Sequence, residues 1–172
     1  MRVLGIDPGS QIMGIGIVDV NGNVSKHVFS ESVRLPKGEL PPRLGRIFQR
    51  LEKVITQFKP DLMAVEKVFL AKNPQAALTL GHARGAAILA GVNAGLPIHE
   101  YSATEIKKTI VGRGRADKAQ VQHMVRVLLN LRTPLEVDES DALACAICHV
   151  HQQHSAQLIA KQANLASRMK FQ

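Results

Sequence analysis

Three apolar segments separated only by tight turns fill the first 34 residues, and this feature restricts the chain to folds built on a sheet. The segments lie at about residues 2–7, 13–20 and 24–34. A Pro-Gly-Ser-Gln turn at residues 8–11 joins the first two, and Asn21-Gly22 joins the last two. Because Asn-Gly between apolar segments is a strong hairpin signal, the pattern predicts an antiparallel meander of three strands.

The rest of the chain alternates helical and strand patterns. Apolar residues recur at spacings of three and four from Leu44 to Phe58, which predicts a helix. Short apolar strands are predicted at about residues 62–66 and 96–101, with a helix of low polarity between them at about residues 74–94. Three more helices are predicted to begin near Ser102, Asp117 and Asp138, the first two with capping-box sequences. This order predicts an α/β fold, a mixed five-stranded sheet flanked by helices on both faces.

Length and charge narrow the class of protein. A chain of 172 residues suits one domain, which we expect at residues 1–154, followed by a basic and flexible tail at residues 155–172. Its 22 Lys+Arg against 14 Asp+Glu give a net charge of +8, which favours a polyanionic partner, above all nucleic acid. With no Trp and one Tyr, the chain lacks a stacking platform for single strands, so it should grip mainly phosphate.

Several of the basic residues fall in one short span that also contains glycines. They are Lys107, Lys108, Arg113, Arg115 and Lys118. We predict that they bind the phosphates of a nucleic acid, although an ordinary solvated face would have the same composition.

The chain shows no feature of a secreted or membrane protein. No run approaches the roughly 18 apolar residues of a membrane helix, and an acidic residue interrupts the start of the chain. Cys145 and Cys148 are too close together for a disulfide framework. We therefore expect a cytoplasmic protein with no membrane partner.

Four carboxylates are placed to share one site. Asp7 and Glu66 each end an apolar strand, so they meet at one rim if those strands are parallel neighbours. Asp138 and Asp141 lie about one turn apart on the last helix. Gathered carboxylates repel one another unless hard cations hold them, and ligands that are all oxygen suit Mg²⁺ or Mn²⁺. Two such ions about 4 Å apart would support phosphodiester hydrolysis.

Each carboxylate also has a plainer interpretation. Asp138 could be a helix N-cap with Asp141 in the first turn. Asp7 could accept hydrogen bonds from the turn amides, and Glu66 could pair with a nearby lysine. Their agreement on one site in a basic chain favours the metal site.

Four motifs in this order resemble the RuvC family of bacterial Holliday junction resolvases. They are GIDPGSQIMGIGIV, AVEKVFLAKNPQAALTLGHARGAA, VGRGRADKAQVQ and DESDALACAICH, and the resemblance spans about residues 2–151. It implies an RNase H-like fold, a homodimer, and paired, symmetric nicking of four-way junction DNA in recombination and repair. It also implies Mg²⁺ as cofactor, replaceable by Mn²⁺, with two ions per site, and the RuvA–RuvB branch-migration complex as a partner.

The resemblance also implies roles for individual residues. Asp7, Glu66, Asp138 and Asp141 match the family's catalytic, metal-binding carboxylates. Phe69 matches an aromatic residue that acts at the unpaired bases of the junction, and Lys107 and Lys118 match basic residues that face the scissile phosphate and backbone. Where the family carries small residues, this chain has Glu139 and Ser140, which we expect to point away from the metals.

Other features keep two interpretations. The helix at about residues 74–94 is either the dimer interface or the central core helix, and Phe69 is either an exposed wedge or a loop anchor in the core. Cys145-Ala-Ile-Cys148-His149 fits a haem-attachment pattern, but small buried cysteines are favoured. His149, His151 and His154 are expected on a solvated face rather than at a metal.

Rival functions separate on simple grounds. GIDPGS also resembles the phosphate loop of actin-like ATPases and sugar kinases, but those need two domains and this chain is too short. A DNA-binding module without activity has no use for the clustered carboxylates. An RNase H-like nuclease acting on RNA/DNA hybrid or another branched DNA is the nearest rival, because one fold hosts many substrates.

Overall fold

A computed structural model describes residues 1–22, 24–68 and 73–169, with side chains as far as Lys161. Its sheet contains β1 (Arg2–Asp7), β2 (Ile12–Asn21), β3 (Val24–Arg34), β4 (Leu62–Lys67) and β5 (Ile98–Ser102). The spatial order is β3-β2-β1-β4-β5. β1, β2 and β3 pair antiparallel, whereas β4 is parallel to β1 and β5 is parallel to β4. The predicted meander and the mixed five-stranded sheet are both confirmed.

The helices are α1 (Leu40–Phe58), α2 (Pro74–Asn93), α3 (Ala103–Val111), α4 (Lys118–Leu128) and α5 (Val137–Met169). α3 and α4 each open with the predicted capping box, in which the cap side chain and the third helical residue exchange hydrogen bonds with the backbone. α1 begins at Leu40, four residues before the apolar repeat, with proline in its first turn.

Side chains alternate between the two faces of the sheet and build two cores. On β1, Leu4 and Ile6 face a layer formed by α1 and α2, whereas Val3 faces the layer formed by α3, α4 and α5. Because side chains two residues apart share a face, Asp7 lies on the same side as Val3. On β4, Leu62 and Ala64 place Glu66 on that side as well.

The first half of α5 is the central helix of the fold. All residues from Ala142 to Val150 are buried. The backbone of α5 approaches the sheet closely because a side chain is absent beneath it: a Cβ at Gly14 would overlap the carbonyl oxygen of Asp138, and one at Gly5 would overlap that of Ala142. These glycines therefore set the height of the start of α5 above β1 and β2.

Within the single chain, α2 is buried on one face only. Its buried residues are confined to the face toward α1 and the sheet, and they are Ala83, Ala87, Ala90 and Gly91. Leu78, Leu89 and Val92 on the other side are more than half exposed, at 60%, 59% and 56%. Apolar residues all round the helix indicated burial, but one apolar face of α2 is open in the single chain.

α5 continues without a break across residues 154 and 155, where the sequence suggested that the tail begins. The flexibility of residues 155–172 stays a prediction. Among the residues described, no helix combines the length and the apolar character needed to cross a membrane.

Candidate active site

Asp7 and Glu66 lie at the same edge of the sheet. Asp7 ends β1 and Glu66 is the penultimate residue of β4, and these strands are parallel neighbours with Ile6 paired to Val65. The condition under which the sequence predicted their convergence is therefore met. Both side chains also point to the α5 face, as the alternation along each strand requires.

The first turn of α5 brings the two aspartates over this edge. Asp138 lies directly above Gly14, which is the β2 partner of Asp7. Asp141 follows three residues later, so it projects from nearly the same side of the helix. The fold thus gathers carboxylates from β1, β4 and α5 at one edge of the sheet.

The helix-capping interpretation of Asp138 does not hold. α5 begins at Val137, and the carboxylate of Glu139 accepts a hydrogen bond from the backbone N–H of Glu136 at 3.1 Å. Glu139 therefore performs the capping role that the sequence left to Asp138 and Asp141. Ser140 is buried, at 1% exposure. The carboxylate of Glu139 is thus engaged at the helix start.

The electrostatics of the cluster are unfavourable without a cation. Burial raises the pKa of Asp7 to about 8, and the charges of Glu66, Asp141 and Asp138 add to the effect. Burial and the charge of Asp141 raise the pKa of Glu66 to about 7. Half-buried carboxyl groups with such pKa values are candidates for a functional site, since a positive charge between them would relieve the repulsion.

Two of the predicted basic residues border the cluster. The Lys118 ammonium donates to Asp141 Oδ2 at 3.1 Å, and its side chain is 71% exposed. The charge of Asp141 and this hydrogen bond raise the pKa of Lys118. Lys107 is half-buried, and its charge, together with that of Lys118, opposes the rise in the pKa of Glu66. Both lysines thus lie at the β5 side of the carboxylates.

The donor set fits a hard divalent cation. The carboxylates supply oxygen ligands, and the nearest thiol, that of Cys145, is fully buried with a pKa well above its ordinary value, so it stays protonated. In the part of the chain that the structure describes, no three donors already converge at coordinating distance.

The other predicted DNA-binding residues are only partly placed. Lys108 is exposed on α3, and Arg113 and Arg115 are exposed in the connection that follows. Their role on DNA stays a prediction. Phe69 lies outside the described residues.

His149 is buried at 3% exposure, so the expectation of a solvated face is wrong for this residue. Its Nδ1 lies 2.8 Å from the Tyr101 hydroxyl, and its ring stacks at a tilt against His99. Burial, with a contribution from His99, lowers the pKa of His149 to about 4, so the ring is neutral at physiological pH. His151 is exposed, as expected, and Cys145 and Cys148 are buried and free.

The mixed sheet in this strand order, with helices on both faces, is an RNase H-like fold. The family model described as crossover junction endodeoxyribonuclease RuvC matches residues 3–149. The chain therefore belongs to the RuvC family of crossover junction endodeoxyribonucleases.

Individual relatives agree with this assignment. The crossover junction endodeoxyribonuclease RuvC of Alkalilimnicola ehrlichii is 55% identical over 152 residues, covering 88% of this chain and 92% of the relative. That of Shewanella pealeana is 47% identical over 169 residues, covering 98% of each. The structure of Thermus thermophilus RuvC in complex with a Holliday junction substrate superimposes with a TM-score of 0.85 at 33% identity, covering 91% of this chain and 96% of the other.

Proposed function

We propose that this chain resolves four-way DNA junctions by paired, symmetric hydrolysis of phosphodiester bonds, with Asp7, Glu66, Asp138 and Asp141 holding the divalent cations that the reaction needs. The observation that carries this proposal is the convergence of carboxylates on one edge of the sheet in a member of the RuvC family. Family membership also disfavours the ATPase and the inactive DNA-binding module as alternatives.

The cation is proposed to be Mg²⁺, with Mn²⁺ able to replace it, and two ions are proposed per site with substrate bound. When bound, two such ions activate water for attack on phosphorus and stabilise the leaving oxygen. Asp7 is the central ligand in this proposal, because its pKa responds to each of the other three carboxylates. Asp7 and Glu66 hold fixed positions on adjacent strands, whereas Asp138 and Asp141 are carried by the start of α5.

The basic residues hold the substrate in this proposal. Lys118 reaches the edge of the cluster with most of its side chain in solvent, so its ammonium can turn from Asp141 to a phosphate. Lys107 lies beside Glu66 and adds positive charge at the same border. Lys108, Arg113 and Arg115 extend this positive surface, and Phe69 is proposed to act at the unpaired bases.

Paired cutting requires two copies of the site, and the open face of α2 is the proposed dimer interface. Leu78, Gly81, Gly85, Leu89 and Val92 follow one another at spacings of three or four, so they form one stripe along the helix. A Cβ at Gly81 or Gly85 would meet nothing within 4 Å, which leaves room for a second helix to approach. A two-fold dimer then presents two identical sites to the two strands of a junction. Contact with RuvA–RuvB and a cytoplasmic location stay predictions.

Cleavage of three labelled substrates at matched salt tests the proposal: a four-way DNA junction, a linear duplex of the same sequence, and an RNA/DNA hybrid. We expect symmetric nicks in the junction alone, with Mg²⁺ and not with EDTA. Preferential cleavage of the hybrid would keep the carboxylate chemistry and overturn the substrate. Equal cleavage of linear duplex would overturn the selectivity for junctions.

A further inference from the structure

A second basic surface lies at the carboxylate edge of the sheet, on the side opposite Lys107 and Lys118. It is a groove of about 560 Å³ at the end of β3, and we call it the β3-end groove. Its lining consists of Gln11, Ile12, Arg34, Leu35, Pro36, Lys37 and Arg43. These residues form no motif in the sequence, because their proximity depends on how β3 returns to the turn after β1.

The pairing of the strands places the groove beside the carboxylates. Arg34 ends β3 opposite Ile12, at the edge where β1 ends in Asp7. The backbone N–H of Leu35 donates to the carbonyl of Gln11 at 2.8 Å, so the loop after β3 is joined to the turn after Asp7. The groove therefore lies at the same edge of the sheet as Asp7.

Arg43 is held in a fixed position within this groove. Its guanidinium donates to the carbonyl oxygens of Ser10 at 3.3 Å and Gly38 at 2.6 Å, and its buried Nε has no hydrogen-bond partner. It thus ties the turn after β1 to the loop before α1. Carbonyl oxygens carry no formal charge, so the positive charge of Arg43 is not neutralised by these contacts.

The groove has an excess of positive charge. Among the residues described, neither Lys37 nor Arg43 lies within ion-pair distance of a carboxylate. Arg34 lies 3.7 Å from Glu136, but both side chains are more than half exposed, at 72% and 56%. An exposed pair of this kind contributes little, so Arg34 can exchange Glu136 for another anion.

We propose that the β3-end groove binds a DNA backbone phosphate on the side of the carboxylates opposite Lys118. This inference rests on the proposed function. Strands are spaced about 4.8 Å apart, so the end of β3 lies roughly 10 Å from the end of β1. The groove therefore binds a phosphate close to the scissile one.

Junction binding by a variant with Arg34→Gln and Lys37→Gln tests this proposal, measured in EDTA over a range of salt. Loss of one phosphate contact makes the slope of log K against log salt shallower by about 0.9, which is the change that we expect. Between 1 M and 0.1 M salt, the affinity of the variant for the junction should therefore rise roughly 8-fold less than that of the wild type. The matched control is Lys26→Gln, because Lys26 is exposed on the same strand at its other end, where it pairs with Asp19. An unchanged slope, or a change equal to that of the control, would overturn the proposal.

Neutral methylphosphonate linkages provide a test on the unaltered protein. Placed in turn at successive positions near the scissile phosphate, one linkage should weaken binding by the wild type and have little effect on the double variant. Equal loss for both proteins would place that phosphate elsewhere. The two proposals fail separately: a wild type that does not cut junctions refutes the proposed function, whereas one that cuts junctions but tolerates the linkage refutes only the groove.

Discussion

Replacing Asp7 with asparagine should stabilise the protein in the absence of metal while abolishing its activity. The folded state raises the pKa of Asp7 from 3.8 to about 8, because the carboxyl group is buried beside Glu66, Asp141 and Asp138. Between these two pH values the unfolded chain has released this proton and the folded chain still holds it. The free energy of unfolding therefore falls as pH rises through this window, and Asp7→Asn removes that loss.

The size of the effect follows from the same values. Ionisation of Asp7 favours the unfolded chain, because the pKa of its carboxyl group is 3.8 there and about 8 in the folded chain. At pH 7.5 this contribution is at most ~5 kcal/mol, since only the part of the pKa rise below that pH counts. Water screens part of the repulsion around this half-buried group, so we expect Asp7→Asn to raise the free energy of unfolding by about 1–3 kcal/mol. The gain should shrink toward zero as the pH approaches 4, where the unfolded carboxyl group is also protonated.

Denaturant unfolding in EDTA at several pH values measures this gain. The matched control is Asp19→Asn on the same sheet, because the hydrogen bond from Arg2 lowers the pKa of Asp19. The favourable contribution of Asp19 is present above its unfolded pKa and is lost as pH falls, so its replacement should destabilise the protein at pH 7.5. Destabilisation by Asp7→Asn at pH 7.5 without metal would refute the account of the cluster.

Three further predictions follow from the packing. Gly14→Ala should destabilise the protein by at least about 2 kcal/mol in denaturant unfolding, because the new Cβ overlaps the Asp138 carbonyl. The control Gly45→Ala in α1 should be neutral or stabilising in the same assay, because its Cβ meets nothing within 4 Å. If α2 forms the proposed dimer interface, Leu89→Glu should shift sedimentation to the monomer, whereas Val127→Glu on α4, at a site of similar exposure (59% and 58%), should not. Tyr101→Phe should cost about 1–2 kcal/mol, because it removes the partner of His149 Nδ1; a change below about 0.3 kcal/mol would show that this hydrogen bond contributes little.

Local signals predicted most of the fold. The hairpin signal, the two capping boxes and the period of α1 each depend on residues close together in sequence, and the hairpin of β2 and β3, the caps and the helix all appear in the structure. The hairpin differs in one detail, because Asn21 pairs with Val24 and is the last residue of β2 rather than the first of the turn. The proximity of Asp7 and Glu66 was predicted only on the condition that their strands were parallel neighbours. Pairing between distant strands supplied that condition.

The sequence could not assign the faces of the apolar helices. α2 and the first half of α5 are both rich in small apolar residues, yet α5 is the central helix and α2 keeps one face open. Composition indicates burial without naming what covers the helix. For the same reason, the sequence did not predict the burial of His149. Its partner Tyr101 comes from a strand 48 residues earlier in the chain.

The β3-end groove was beyond sequence analysis for a related reason. Arg34, Lys37 and Arg43 are separated by short, unremarkable spacings, and only the return of β3 to the turn after Asp7 brings them to the carboxylate edge. The presence of basic residues on two sides of the carboxylates follows from the order of the strands in the sheet, and no sequence motif encodes it.

The most direct test of the central claim compares cleavage and binding of one four-way junction by single amide variants of the four carboxylates. Asp7→Asn, Glu66→Gln, Asp138→Asn and Asp141→Asn should each lose cleavage in Mg²⁺ while still binding the junction, and the control Asp19→Asn should keep both. Normal cleavage by any of the four variants would remove that residue from the site. Normal cleavage by Asp7→Asn would contradict the account as a whole.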